Sequence, residues 1–221
     1  MKKLNRPDTP RCLDQLKLNP IRWEDVTPAQ KSEIWVKLNE MQNNFCGFCE
    51  KKLEGESRHI EHLIPRRILK LTSLKLLFDW SNLYGSCETK NKHCGRYKDD
   101  VIKDYDAKDL IKPDIEYPSD YFVFTSNGDM FPKENLQLND KRKATEMIRV
   151  MNLNSPSLIG LRAVAIQEAM FEYTAILEMK LCCQDADLLD EIELEIQELE
   201  KKYSNAAFRT SVMQNIKTPL I

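Results

Sequence analysis

The sequence predicts an α+β protein, mainly helical, built around one cluster of cysteines and histidines. Three observations predict it. Four stretches repeat apolar residues at helical spacing, over about residues 27–44, 140–151, 157–183 and 186–204. Two short runs, 59–64 and 121–132, carry strand-like alternation or β-rich composition. All three histidines fall within residues 59–93, in a frame made by Cys46, Cys49, Cys87 and Cys94.

Residues 1–26 read as an extended arm, because Arg6-Pro7, Thr9-Pro10 and Asn19-Pro20 interrupt any helix. Thr27 then opens a helix as its N-cap, Pro28 suits the first helical position, and Gln30 completes a capping box. Ile34, Trp35, Leu38 and Met41 form its apolar stripe, and it ends near Asn44, directly before Cys46. Cys46 to Cys49 is a tight turn of the zinc-knuckle type, eased by Gly47. Residues 59–64 alternate like a strand, Leu69 to Phe78 is an apolar helix or loop excursion, and 94–105 are helical. Past the loop Ile111-Lys112-Pro113-Asp114, Tyr121-Phe122-Val123-Phe124 and Met130-Phe131-Pro132 pair across the turn Ser126-Asn127-Gly128-Asp129. Asp140 to Met151 is a helix. Ser155 caps the next, with Pro156 at its first position, and Leu158, Leu161, Ala165 and Ile166 carry it on to Cys183. In the last helix, about 186–204, Leu189, Ile192, Ile196, Leu199 and Tyr203 form a heptad seam. Two heptads are too few for a long coiled coil, so the seam suits a helical hairpin against 157–183 or a docking surface.

A chain of 221 residues can bury one good core or slightly more. Its 42% hydrophobic and 31% charged content is that of a soluble globular protein. With no apolar run of membrane length and no apolar region after the N-terminal lysines, a cytoplasmic location and no membrane partner are expected. Seven cysteines in that setting are free thiols or metal ligands, and Cys182-Cys183 reads as a pair of buried structural thiols. The net charge of −2 conceals an asymmetry. Arg58 to Lys98 holds nine Lys/Arg against three Asp/Glu, whereas Asp185 to Glu200 holds eight acidic residues and no basic one. This excludes a uniformly basic DNA-coating protein and leaves room for a basic face beside a cleft.

Cys46-x2-Cys49 presents two thiolates on one turn, half of a tetrahedral zinc site, and Cys87 with Cys94 can supply the other half. Four cysteines make a closed, structural site. Within that frame, a divalent metal held by Glu61 beside a neutral His62 makes a nucleolytic pair: the metal stabilises phosphate charge and the imidazole takes a proton from water. Asn82 can hydrogen-bond that imidazole and fix its tautomer. Singly, each residue reads as a surface histidine or a turn asparagine. Together in a cysteine frame they read as a site.

The pattern Cys-x2-Cys … Ile-Glu-His-x2-Pro-Arg … Trp-x-Asn-Leu-x2-Ser-Cys … His-Cys-Gly-x2-Lys resembles an HNH endonuclease, and more closely the PtuB-like HNH nucleases of retron and Septu anti-phage systems. Arg6-Pro7-x2-Pro10, Phe124-x3-Gly128 with Pro132, and Leu153-Asn154-Ser155-Pro156 with Leu161-Arg162 extend the resemblance over most of the chain. It implies a ββα-metal core with a zinc knuckle, followed by a C-terminal helical region. It also implies His62 as general base, Asn82 as the middle motif and Glu61 as the acidic ligand to Mg2+ or Mn2+. The third motif departs from the family, since Gly95 follows Cys94 where His or Asn is usual. The second ligand is then His93, favoured as a neutral imidazole, or Asn91, with His59 a third candidate. Arg66, Arg67, Lys92, Arg96 and Lys98, with Arg58, surround the site, and at least some of them are expected to contact phosphates.

The expected organisation is an N-terminal arm and helix (1–44), a nuclease core (45–105) and a mostly helical region for packing and partner docking (106–221). The expected activity is DNA cleavage as a toxic defence effector. RNA cleavage, of a tRNA for example, and a non-catalytic zinc-stabilised binding module are the alternatives. The resemblance implies as partner an ABC/SMC-like ATPase, docked on the acidic heptad helix, and in a retron context a reverse transcriptase with its RNA/DNA hybrid.

Overall fold

The computed structural model describes residues 1–55, 57–90 and 92–217. The N-terminal region departs from the expected extended arm. Pro10 stands at the N-cap of helix α1 (Arg11–Leu18), where a missing N–H costs nothing, and Cys12, Leu13 and Leu16 are buried. The prolines bracket this helix instead of forbidding it. Helix α2 (Pro28–Gln42) begins with the predicted capping box, both halves of which are formed. It buries Ile34, Leu38 and Met41. Asn43 and Asn44 then adopt left-handed backbone, φ 52° and 60°, and turn the chain into Cys46.

Strand β1 (Arg58–His62), helix α3 (Arg66–Thr72) and strand β2 (Leu83–Cys87) follow. The predicted excursion between the strands is α3 and a 3-10 turn over Leu74–Phe78. β1 and β2 pair antiparallel in the register Arg58↔Cys87, Ile60↔Gly85, His62↔Leu83. Helix α4 (Cys94–Asp100) packs on β2 and is shorter than the sequence suggested. A short helix α5 (Pro118–Tyr121) leads into the predicted hairpin of β3 (Phe122–Phe124) and β4 (Met130–Pro132). Its turn needs glycine. Gly128 has φ 87°, and a Cβ there would lie 2.3 Å from the Ile159 carbonyl oxygen. Arg162 closes this junction by donating to the Gly128 carbonyl at 2.7 Å and to Asn154 Oδ1 at 3.1 Å.

Helices α6 (Leu138–Val150), α7 (Pro156–Cys182), α8 (Ala186–Ser204) and α9 (Arg209–Lys217) complete the chain. α9 was not foreseen. Its four-residue spacing of Val212 and Ile216 is too short a pattern to stand out, and both are buried by packing. The heptad seam of α8 is spent inside the protein: Ile196, Leu199 and Tyr203 are buried in a core shared with Ile166, Ala169 and Ile176 of α7 and with α9. The hairpin reading of this seam therefore replaces the docking reading. Cys182 is exposed and Cys183 half-buried, so neither is a buried structural thiol; the last buried residue of α7 is Ile176, before the helix ends. A larger core joins residues from the N-terminus through α7, including Leu13, Ile34, Leu38, Phe78, Tyr84 and Met147.

Thr27→Ala removes the acceptor for the Gln30 N–H and is expected to lower stability by about 1 kcal/mol, read as a shift of the urea midpoint at unchanged slope.

Candidate metal centre and adjoining polar cleft

Three elements deliver the four cysteines. Cys46 and Cys49 lie on the turn after α2, Cys87 ends β2 and Cys94 begins α4. Gln42, buried at the end of α2, holds the turn to the strand: Nε2 donates to the Phe45 and Gly85 carbonyls at 2.7 and 2.8 Å, and Oε1 accepts from Gly85 N–H at 2.7 Å. Nothing in the sequence singles Gln42 out, because a glutamine in a helix carries no signal of its partners. Cys94 itself sits at φ 59°, a conformation uncommon for any residue but glycine.

The four sulfurs lie within 4.8 Å of one another, with Cys46 and Cys94 at 3.8 Å and Cys49 and Cys87 at 3.7 Å. Zinc–sulfur bonds of about 2.3 Å in a tetrahedron set sulfurs roughly 3.8 Å apart. The donor set and spacing fit a metal such as zinc. Burial opposes ionisation of Cys46, but hydrogen bonds from Cys49, Cys87 and Cys94 outweigh it and lower its pKa. Burial pushes the Cys94 thiol up. A cation removes that conflict by accepting four thiolates.

His93 belongs to this centre. Its Nδ1 lies 3.2 Å from Cys94 Sγ and 3.6 Å from Cys87 Sγ. The imidazole beside Glu61 is instead His59, with Nε2 2.9 Å from Glu61 Oε2. Asn91 lies outside the described residues. Among the described residues, the cysteines form the one group of three or more metal-type donors. Glu61 and His59 thus offer two facing donors, which suits an ion that keeps most of its water.

A cleft of about 270 Å³ adjoins this frame and is lined by Trp23, Trp35, His59, Glu61, His62 and Asp99. Glu61 and His62 diverge, as neighbours on a strand do, and the cleft wraps the strand so that both line it. His62 is 2% exposed, packs edge-on against Trp23 with ring centroids 4.4 Å apart, and places Nε2 2.9 Å from the Leu77 carbonyl oxygen. That acceptor assigns the proton to Nε2 and leaves Nδ1 as the basic nitrogen. Burial lowers the imidazole pKa to about 4, outweighing the hydrogen bond to Leu77, so the ring is neutral at pH 7. The Glu61 pKa is lowered too, which for a carboxylate keeps the charge. Burial opposes its charge, but Lys98 and His59 hold its carboxyl down at about 2.

Asn82 does not touch the imidazole. Its Oδ1 accepts from Ile64 N–H at 2.7 Å and its Nδ2 donates to the Ile64 carbonyl at 3.1 Å. It closes the loop after His62 and so positions the base through the backbone. Gly95 explains the irregular third motif, since a Cβ there would lie 2.1 Å from Glu61 Oε2. The carboxylate fills the space that a side chain at this position would need.

The predicted phosphate contacts divide. Arg58, Arg66 and Arg96 line the cleft. They are already engaged: Arg58 stacks 4.3 Å over Trp35, Arg66 pairs with Glu24 at 2.7 Å, and Arg96 grips Glu88 at 2.8 and 2.9 Å. Arg67 is exposed, 5.9 Å from the Tyr105 ring, and Lys92 is exposed. Lys98 is not a surface cation. It is 0% exposed, and its ammonium is spent on Glu61, Asp99 and the His62 carbonyl.

No family model matches the chain. Two curated proteins are similar to it. The Septu protein PtuB of Bacillus thuringiensis is 31% identical over 123 residues, which cover 53% of this chain and 44% of that protein. The "Retron Vc95 putative HNH endonuclease" of Vibrio cholerae is 26% identical over 131 residues, 58% of this chain and 60% of that one. The resemblance carried by the motifs is thus a resemblance to proteins of the Septu and retron kind. The chain spans about half the length of the relatives it matches.

The purified chain is expected to carry one tightly bound zinc, and Cys46→Ser with Cys94→Ser is expected to lose it and melt at lower temperature; metal analysis beside thermal melts checks both. Unfolded His62 binds a proton near pH 6.5 and folded His62 only near 4, so its contribution is intact above 6.5 and is lost as pH falls to 4. The loss is on the order of 3 kcal/mol, and the fall in urea midpoint between pH 7 and 4.5 is expected to be smaller in His62→Gln.

Proposed function

We propose that this chain is a metal-dependent HNH endonuclease, with residues 45–105 as its ββα-metal core, acting in the cytoplasm as the DNA-cutting effector of an anti-phage defence system. One observation carries the reading. A neutral, buried His62 and the Glu61–His59 pair, 2.9 Å between facing atoms, open into one cleft beside a four-sulfur frame. A scaffold held by sulfur alone has no use for a desolvated base next to an ionised carboxylate.

In this reading His62 Nδ1 accepts a proton from the attacking water. Its ring is held for that task by the Leu77 carbonyl, by Trp23 and, through Ile64, by Asn82. Glu61 Oε2 and His59 would hold a Mg2+ or Mn2+ ion, which supplies charge stabilisation at the phosphate and the leaving oxygen. This favours His59 over His93 as the second ligand. Arg58, Arg66 and Arg96 exchange their present partners for substrate phosphates, which orients the strand without reading its bases. The names of the similar proteins support a defence setting. We assign an ABC/SMC-like ATPase as the partner that restrains or delivers the enzyme, joined in a retron context by a reverse transcriptase with its RNA/DNA hybrid.

The test is cleavage of plasmid DNA and of total tRNA by the purified chain, with and without the proposed ATPase partner, in Mg2+ or Mn2+. Nicked or linear plasmid is expected, with His62→Ala slower by about 10²–10⁴-fold. Cut tRNA with intact plasmid would move the substrate to RNA. A zinc-loaded protein that cuts neither would return the chain to a binding module.

A further inference from the structure

Behind Glu61 of the cleft lies the ammonium of Lys98, which is fully buried. α4 carries Gly95 and Lys98 three residues apart, so both face β1. Lys98 Nζ lies 2.8 Å from Glu61 Oε1 and 3.1 Å from the His62 carbonyl oxygen, and also contacts the Asp99 carboxylate. The contact with Oε1 is an ion pair without an aligned hydrogen bond. Glu61 Oε2 points the other way, to His59 Nε2 at 2.9 Å, and lies against the Gly95 backbone, where even a methyl group would collide.

A fully buried lysine is a costly way to fill space. Its desolvation is offset only by good partners, and an apolar residue of similar length would pack as well. What an ammonium adds here is orientation. We propose that Lys98 is a positioning residue of the cleft: it engages Glu61 Oε1, leaves Oε2 turned to His59 as the oxygen that would share a divalent ion with that imidazole, and ties the backbone of His62 to the same point. The carboxylate and the base are thereby set by one cation on one helix. The use made of that carboxylate rests on the endonuclease reading, whereas its orientation does not.

Mn2+ binding to the zinc-loaded chain without nucleic acid, followed by electron paramagnetic resonance, reads this directly. Lys98→Met is expected to weaken Mn2+ affinity by about tenfold or more, the usual effect of removing a group that orients a metal ligand, while zinc content stays unchanged. Lys98→Arg keeps the charge but spreads it over a planar fork, and is expected to weaken binding less. Affinity in Lys98→Met equal to wild type, or tighter as removal of a competing cation would give, overturns the proposal. Should Lys98→Met not fold, unchanged affinity in Lys98→Arg overturns it equally. Absence of Mn2+ binding by the wild type sinks this inference and the metal-dependent reading together. Plasmid cleavage that needs His62, with Mn2+ affinity indifferent to Lys98, leaves the nuclease reading standing and this inference refuted. Lys98-dependent Mn2+ binding in a chain that cuts no nucleic acid gives the reverse.

Discussion

Four sulfur atoms from three separate elements converge on one point, and the polar chemistry of this protein is arranged by that convergence. The turn after α2, the end of β2 and the start of α4 meet at Cys46, Cys49, Cys87 and Cys94. A two-stranded sheet and a seven-residue helix have little stability of their own. Tying both to a turn that Gln42 already holds to β2 gives them a fixed geometry. α4 then carries Gly95 and Lys98 onto Glu61, and the carboxylate has one place to lie.

The same economy governs the base. His62 has its proton placed by a backbone carbonyl, its ring held by Trp23 from the N-terminal region, and its following loop closed by Asn82. Trp23 lies in a segment whose prolines suggested only an arm. Arg6 shows why that segment is ordered: it donates to the Trp80 and Leu83 carbonyls at 2.6 and 3.1 Å and pairs with Asp114 at 2.7 Å. The chain upstream of the cysteine cluster is therefore part of the wall of the cleft.

The far end of the chain is organised differently. α7, α8 and α9 bury their own small core, and the acidic run of α8 lies on its outer faces. The heptad seam that suggested an external partner is consumed by this bundle. Arg162 and Asn154 lock the bundle to the β3–β4 hairpin, which gives the Asn-Ser-Pro motif and its arginine a structural reason to occur together.

Residue types and spacings were enough for the capping box of α2, the β3–β4 hairpin, the extent of α8 and the four-cysteine set. Each of these is local in sequence or announced by a chemistry with few other uses, as thiols at knuckle spacing are. The placement of the histidines was not legible in that way. His59, His62 and His93 are equivalent as letters, and only the fold turns one toward sulfur, one toward a buried carboxylate and one into a desolvated pocket. Lys98 has the same lesson in reverse. Spacing put it among surface cations, whereas the fold buried it against the end of β1, because the His62 carbonyl that accepts from its ammonium lies 36 residues away in the chain, with the Glu61 carboxylate beside it. Long-range contacts of this kind set burial, protonation and orientation, and no period or motif in a single chain records them.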